Sequence, residues 1–249
     1  MKHLYSTLFA VILFISIAAN GQEMVTDRPD YTESALVVHS KMIQIESGVE
    51  FVDLSLMEEL SFPNALVRIG VGRNLEFRLG FPGWTSITVN DKTESCLNDL
   101  LFEVKYQITK SDAVMPVAAI LVSTIPTGDD EVSSGEMEIG LKLAAERDLS
   151  ETLGLSMNIG TISVPVGDER ELLSLASLAL GMGINDKLGA FIEVLAEMPQ
   201  NEAWQPVLDG GFTCLLSDEA QLDLYAGKGL NDHAPDFIIG AGFSIRFGF

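Results

Sequence analysis

Basic residues are scarce in this chain: 15 Lys and Arg stand against 36 Asp and Glu, for a formal charge of −21 over 249 residues. A field of that sign repels nucleic acid and anionic headgroups, so cations and neutral solutes are the better candidate partners. Cysteine is nearly absent. Cys96 falls in an expected outer loop and Cys214 late in a strand running toward the opposite end, so no disulfide is expected. Beyond His3, the only histidines are His39 and His233, and no Gly-x-Ser-x-Gly elbow accompanies them. Catalysis through an activated nucleophile therefore has no support, and no catalytic residue is assigned. The same residues lack paired ligand spacing, so no metal site is assigned. Gly128-Asp129-Asp130-Glu131 reads as a solvated loop or, alternatively, a loose calcium loop. No glycine-rich phosphate cradle is present, and no cofactor is expected.

Long apolar runs are also missing, with one exception. Leu8 to Ala19 is flanked by Lys2 and His3 before it and Ala19-Asn20-Gly21 after it. Such a run is short of the roughly twenty residues a membrane helix requires. Residues 1–21 thus read as a secretory signal peptide, removed before Gln22, and no cysteine follows for lipid attachment. The rest of the chain has no linker and fits one domain. Its positive mean hydropathy of +0.26 conflicts with a soluble acidic protein. A β-barrel whose lipid-facing residues are spread over many short alternating segments removes the conflict.

Alternating runs bounded by turn residues mark about twelve strands, near 42–53, 64–72, 74–84, 97–109, 113–125, 135–146, 152–164, 171–184, 187–199, 204–216, 220–228 and 236–249. Tight turns are expected at Gly72–Asn74, Thr109–Asp112, Arg147–Glu151, Asn185–Asp186 and Ser217–Glu219. Roomier loops are expected at Leu54–Pro63, Pro82–Cys96, Pro126–Ser134, Pro165–Arg170, Gln200–Ala203 and Gly229–Pro235. Short periplasmic turns alternating with longer outer loops belong to an all-β, closed, antiparallel up-and-down transmembrane barrel over residues 42–249. A soluble sandwich would need Greek-key connections, and this pattern is a plain meander. The fifth and eighth strands alternate weakly. The final strand carries Phe237, Ile239, Phe243, Ile245, Phe247 and Phe249, an aromatic ending expected to be docked by the barrel-assembly machinery. Outer-membrane lipid and lipopolysaccharide are the expected surroundings; the acidic charge of the outer loops either serves the solubility of loops and turns or bridges to lipopolysaccharide through divalent ions.

Thr26-Asp27-Arg28-Pro29-Asp30-Tyr31-Thr32-Glu33-Ser34, followed by Gln44 to Glu50, resembles a family of bacterial outer-membrane barrels labelled as transporters of the meta-pathway of phenol degradation. The resemblance implies a barrel in the outer membrane and passage of small aromatic or apolar compounds. Residues 22–41 are polar and cannot face lipid. They either cap the barrel on the periplasmic side or enter the lumen as a plug, with Asp27, Arg28, Asp30 and Glu33 able to bond lumenal residues.

The inward face should carry Glu46, Glu50, Arg68, Glu76, Arg78, Glu103, Lys105, Glu136, Glu138, Lys142, Glu193, Glu197, Asp209, Asp223 and Arg246. Two readings of this acidic lining stand side by side: a cation-favouring pore, or a structural ladder with pairs such as Arg68–Glu76 and Arg246–Glu46. Phe191, Leu195 and Tyr225 also point inward. A twelve-stranded bore admits small solutes if nothing fills it. The leading expectation is a passive channel for a small solute; the alternatives are a closed structural or surface-interaction barrel and, less favoured, a lipid-modifying enzyme.

Overall fold

The computed structural model describes residues 24–249, so the expected signal peptide at 1–21 lies outside the described residues. Thirteen strand segments meander antiparallel: β1 (Met42–Asp53), β2 (Glu58–Val71), β3 (Leu75–Val89), β4 (Lys92–Leu97), β5 (Leu100–Gln107), β6 (Val117–Ile125) and β7 (Glu138–Asp148), continuing with β8 (Leu153–Val166), β9 (Glu169–Gly183), β10 (Leu188–Pro199), β11 (Gln205–Ser217), β12 (Ala220–Gly229) and β13 (Phe237–Gly248). The ring closes where β13 pairs with β1, from Met42 opposite Gly248 to Asp53 opposite Phe237. Segments β4 and β5 both pair with β3, through Trp84–Val89 and Leu75–Gly80 respectively, and form one wall strand broken at Asn98–Asp99. The wall is therefore a closed twelve-stranded barrel. Among the described residues no helix is long and apolar enough to cross a membrane.

Alternation sets the two faces. On β10, Ile192 and Val194 are exposed while Glu193 between them is 1% exposed. On β12, Leu222 and Leu224 face out and Gln221, Asp223 and Tyr225 face in. Exposed aromatics gather toward the two ends: Phe62, Trp84, Trp204 and Phe237 toward one, Tyr106, Phe247 and Phe249 toward the other. Such outward apolar side chains are stable only against lipid, with aromatic rings at the headgroup level. Both barrel ends of the chain, at Met42 and Gly248, share one rim. That rim is the periplasmic one in bacterial barrels with an even number of wall strands.

The loops differ from the sequence reading in four places. Instead of a loop over Pro82–Cys96, β3 runs on to Val89, turns at Asn90–Asp91 and returns as β4, which carries Cys96. Asn90 and Asp91 both take left-handed φ values, 50° and 62°, the backbone of a two-residue hairpin that matches strand twist. The free edge of β4 is held by the loop after β6: Leu97 N donates to Asp129 Oδ2 (2.7 Å) and Asp129 N to Leu97 O (2.8 Å). Pro165–Arg170 likewise shrinks to Gly167–Asp168, with Gly167 at φ 61°. Leu54–Pro63 shrinks as well, because Pro63 sits at the β1–β2 register shift, where the ladder needs no N–H from it. Conversely, the tight turn expected at Thr109–Asp112 spans 108–116, since Pro116 cannot donate and Val117 N is the first to bond back, to Thr109 Oγ1 (2.8 Å). Both cysteines are free.

Candidate functional site in the barrel lumen

Residues 24–40 run inside the barrel as an arch. The segment starts near the periplasmic rim, where Gln44 Nε2 donates to Val25 O (2.8 Å). It rises past Glu46, whose carboxylate accepts the N–H groups of Asp27 and Arg28. The apex at Pro29–Tyr31 crosses the bore to β10, where Tyr31 N donates to Glu193 (2.7 Å) and Tyr31 Oη to Glu197 (3.1 Å). The descent is held by Asn158, Glu146, Gln107 and Glu76 in turn: Glu33 N to Asn158 (2.8 Å), Ser34 Oγ to Glu146 (2.8 Å), Val37 N to Gln107 (3.4 Å) and Val38 N to Glu76 (2.6 Å). An irregular backbone has no ladder partner, so inside the bore the N–H groups of Tyr31, Glu33, Val37 and Val38 each need a side-chain acceptor. The inward carboxylates and amides supply them.

On one side of the bore, charges form a dry network. Arg68 and Arg78 are cross-strand neighbours, a like-charge pair that is unfavourable by itself. Each is 1% exposed. Arg68 bonds Glu46 and Glu76 (both 2.8 Å), and Arg78 bonds Glu103 (2.6 Å). Asp27 of the arch then bridges the two guanidiniums at 3.2 and 2.6 Å and lies 3.5 Å from Lys105. Glu33 does the same higher up, 3.2 Å from Arg78 and 2.5 Å from Lys142, which also reaches Glu103 (3.2 Å). Buried ions are tolerable only when opposite charges stand this close. Asp27 and Glu33 belong to the arch, outside the spanning strands. Burial raises the Asp27 carboxyl, but Arg68, Lys105 and Arg78 outweigh it and hold the group well below the usual range. Burial likewise raises Glu33, and Arg78 and Lys142 bring it down to about 2.

On the β12–β13 side, Arg28 donates to Asp223 (3.0 Å) and lies 5.9 Å from the Tyr225 ring centroid. It occupies a seat made by the facing glycines Gly48 and Gly242, where any Cβ would overlap the guanidinium. The third side is apolar. Ala35 packs against Ala118, Ile120, Val122 and Ala144, all nearly inaccessible, with Leu101 and Ile162 around them. This explains the weak alternation at the fifth and eighth expected strands: β6 presents Ala118, Ile120 and Val122 inward, and β9 presents Leu175 and Ala179.

Above the apex the bore opens into a cavity of about 410 Å³, floored by Arg28, Pro29, Asp30 and Tyr31 and walled by Glu50, Leu195, Glu197, Val207, Asp209 and Tyr225 among others. Tyr225 Oη donates to Glu50. Asp30 has no countercharge here: burial pushes its carboxyl well above the usual range, and the nearby Glu193 adds to the shift. Glu138 is half-buried near the outer rim, its N–H bonded to Thr124 (3.2 Å). Two sequence expectations are corrected. Glu136 precedes β7 and is exposed, paired with Arg170 (3.4 Å), so it does not line the lumen. Arg246 bonds Glu219 (2.7 Å) in the β11–β12 turn instead of Glu46, because Arg68 already holds Glu46. The polar seat residues Asn158, Ser177 and Gln221 escaped the sequence reading, although each sits at an inward alternation position. His39 and His233 are exposed at opposite ends of the barrel.

Residues 26–247 match the family described as "Putative MetA-pathway of phenol degradation". An outer membrane channel from Pseudomonas putida F1 superposes with a TM-score of 0.63 at 17% identity, covering 90% of this chain and 100% of that one. The NanC porin gives 0.59 at 14% identity, covering 82% and 100%. The KdgM porin gives 0.57 at 7% identity, covering 82% and 99%. No curated protein matches the chain. Identities this low establish the fold, a closed β-barrel of the bacterial outer membrane.

Proposed function

The chain belongs to that phenol-degradation family, and on this premise we propose that it is a passive channel for small solutes, apolar and aromatic ones included, whose periplasmic half is closed at rest by residues 24–40. One observation carries the reading: a 410 Å³ vestibule that ends on the arch and not on wall side chains. A cavity of this size suits a small molecule, since ligand pockets run from about 300 to 1,000 Å³. Its lining mixes Tyr31, Leu195, Val207 and Tyr225 with carboxylates, so an aromatic body and a polar edge both find contacts. A bore of twelve strands is wide enough for such a solute once the arch moves. The match of family and the porin-like fold support transport over catalysis, and we assign no catalytic step. We extend the same proposal to assembly: β13 with its exposed Phe249 is the element the assembly machinery docks, and Phe249→Ala is expected to lower the yield of folded barrel in the outer membrane.

The test is conductance in planar bilayers together with liposome swelling for benzyl alcohol, a hexose and potassium chloride, comparing the full mature chain with one lacking residues 24–40. Permeation that rises when the arch is removed supports the channel. Both proteins remaining sealed at every voltage and to every solute would leave the second reading, a closed structural barrel. The dense ion pairing of the arch to the wall favours that alternative.

A further inference from the structure

The vestibule is acidic in a way that its own residues do not balance. Glu50, Glu197, Asp209 and Asp30 line it, and Arg28, the one cation among the described residues that line it, is already committed to Asp223. Glu50 and Glu197 each accept a tyrosine hydroxyl, from Tyr225 and Tyr31. Asp209 is different. It retains 9% exposure, and its Oδ1 has no hydrogen-bond partner. Its cross-strand partner is another acid, Glu193, which accepts Tyr31 N and Thr32 Oγ1 and lies within side-chain hydrogen-bond reach of Asp209, so that a proton or a cation must stand between the two acids. A buried carboxylate beside a like charge, with an oxygen unbonded, is costly unless a donor or cation from outside completes it.

We propose that this vestibule binds a small organic cation, an amine or ammonium with an apolar body, using Asp209 as the principal counter-ion. The proposal rests on the channel reading and names its preferred solute class. An inorganic divalent ion is the poorer fit, since among the described residues no three acidic, cysteine or histidine side chains converge as a metal would require. The walls instead offer Leu195, Val207 and Ile238 to an apolar body. Two tyrosine rings, Tyr31 and Tyr225, also line the space and add aromatic surface beside the acids. Both rings are held by their hydroxyl bonds to Glu197 and Glu50, so the aromatic and acidic parts of the lining are fixed relative to each other.

The test is calorimetric binding of three matched probes to the purified mature barrel in detergent: phenethylammonium, phenethyl alcohol and phenylacetate. Phenethylammonium is expected to bind most tightly, phenylacetate not at all. Asp209→Asn keeps the shape of the side chain and is expected to weaken phenethylammonium by about tenfold to a hundredfold, the range for a hydrogen bond to a charged group, while leaving phenethyl alcohol unchanged. Heat-modifiable electrophoretic mobility checks that the variant is folded, and Glu197→Gln provides a second acidic position expected to act in the same direction. Equal binding of the amine and the alcohol, or of the amine to wild type and Asp209→Asn, overturns the proposal and means that only a proton sits beside Asp209. Binding is read without any permeation step. Amine binding by a barrel that never conducts would therefore refute the channel reading while leaving the vestibule site standing, and permeation without charge preference would do the reverse.

Discussion

In the periplasmic half of the bore, Arg68, Arg78, Glu46, Glu76 and Glu103 are at most 1% exposed and bonded to one another and to Asp27 of the arch. In the outer half, Glu50, Glu197 and Asp209 line an open space of about 410 Å³ with few bonds between them. Both halves are built from inward-facing strand positions, and both are rich in acids. What separates them is the arch. Where residues 24–40 fill the bore, most charges meet an opposite charge, because desolvating an unpaired ion costs several kcal/mol or more. Above the arch, acids without a counter-ion border open space and are available to a solute.

Removing residues 24–40 should erase the contrast and is the largest expected effect: a steep rise in single-channel conductance, measured in planar bilayers. If the truncated barrel folds and stays sealed, the arch is not what closes the lower half. Next comes Asp27→Ala, which leaves Arg68, Arg78 and Lys105 short of a shared counter-ion. Taking one partner from a buried pair typically costs about 3–5 kcal/mol. Lower thermal stability and frequent spontaneous openings are expected, and an unchanged melting temperature with unchanged traces would show that the network does not hold the arch.

Gly242→Val is expected to act more mildly, by about 1–3 kcal/mol, the range for overpacking. The side chain overlaps Arg28 and pushes it from its seat beside Asp223, loosening only the rising limb of the arch. Conductance should fall between wild type and the truncation; a trace identical to wild type would mean the glycine seat is incidental. The smallest effect is that of acid. Asp27 and Glu33 are held below their ordinary carboxylate range in the docked arch, Glu33 at about 2. The stability they confer is therefore complete above the unfolded value near 4 and is lost as pH falls through that value toward 2. Openings should become more frequent only in that window. A transition centred near neutrality would point to other groups.

Particular residues show how far the sequence reading reached. The inward set on β3 and β10, including Glu76, Arg78 and Glu193, is legible because apolar neighbours at every second position fix which face meets lipid. On β6 the same rule is mute, since Ala118, Ile120 and Val122 face inward while Leu121 and Ile125 of the same strand face lipid outside, and both faces read as apolar. Loop lengths were misjudged where a proline or a left-handed residue redirects the ladder, as at Pro116 and at Asn90–Asp91. Partner choice is the least legible: the strand pattern pairs Arg246 with Glu46, and only the fold brings it to Glu219.

The sequence alone thus settles the barrel, because a period of two and a lipid exterior leave one face for each residue. It also settles the sign of the lumen, which follows from composition. Only the tertiary structure decides that Asp27 bridges Arg68 and Arg78, that Arg28 sits on Gly48 and Gly242, and that the arch stops below Asp209. Those contacts join residues far apart in the chain, and their pairing depends on barrel stagger and on how much water the arch displaces. Neither quantity is encoded in any local pattern.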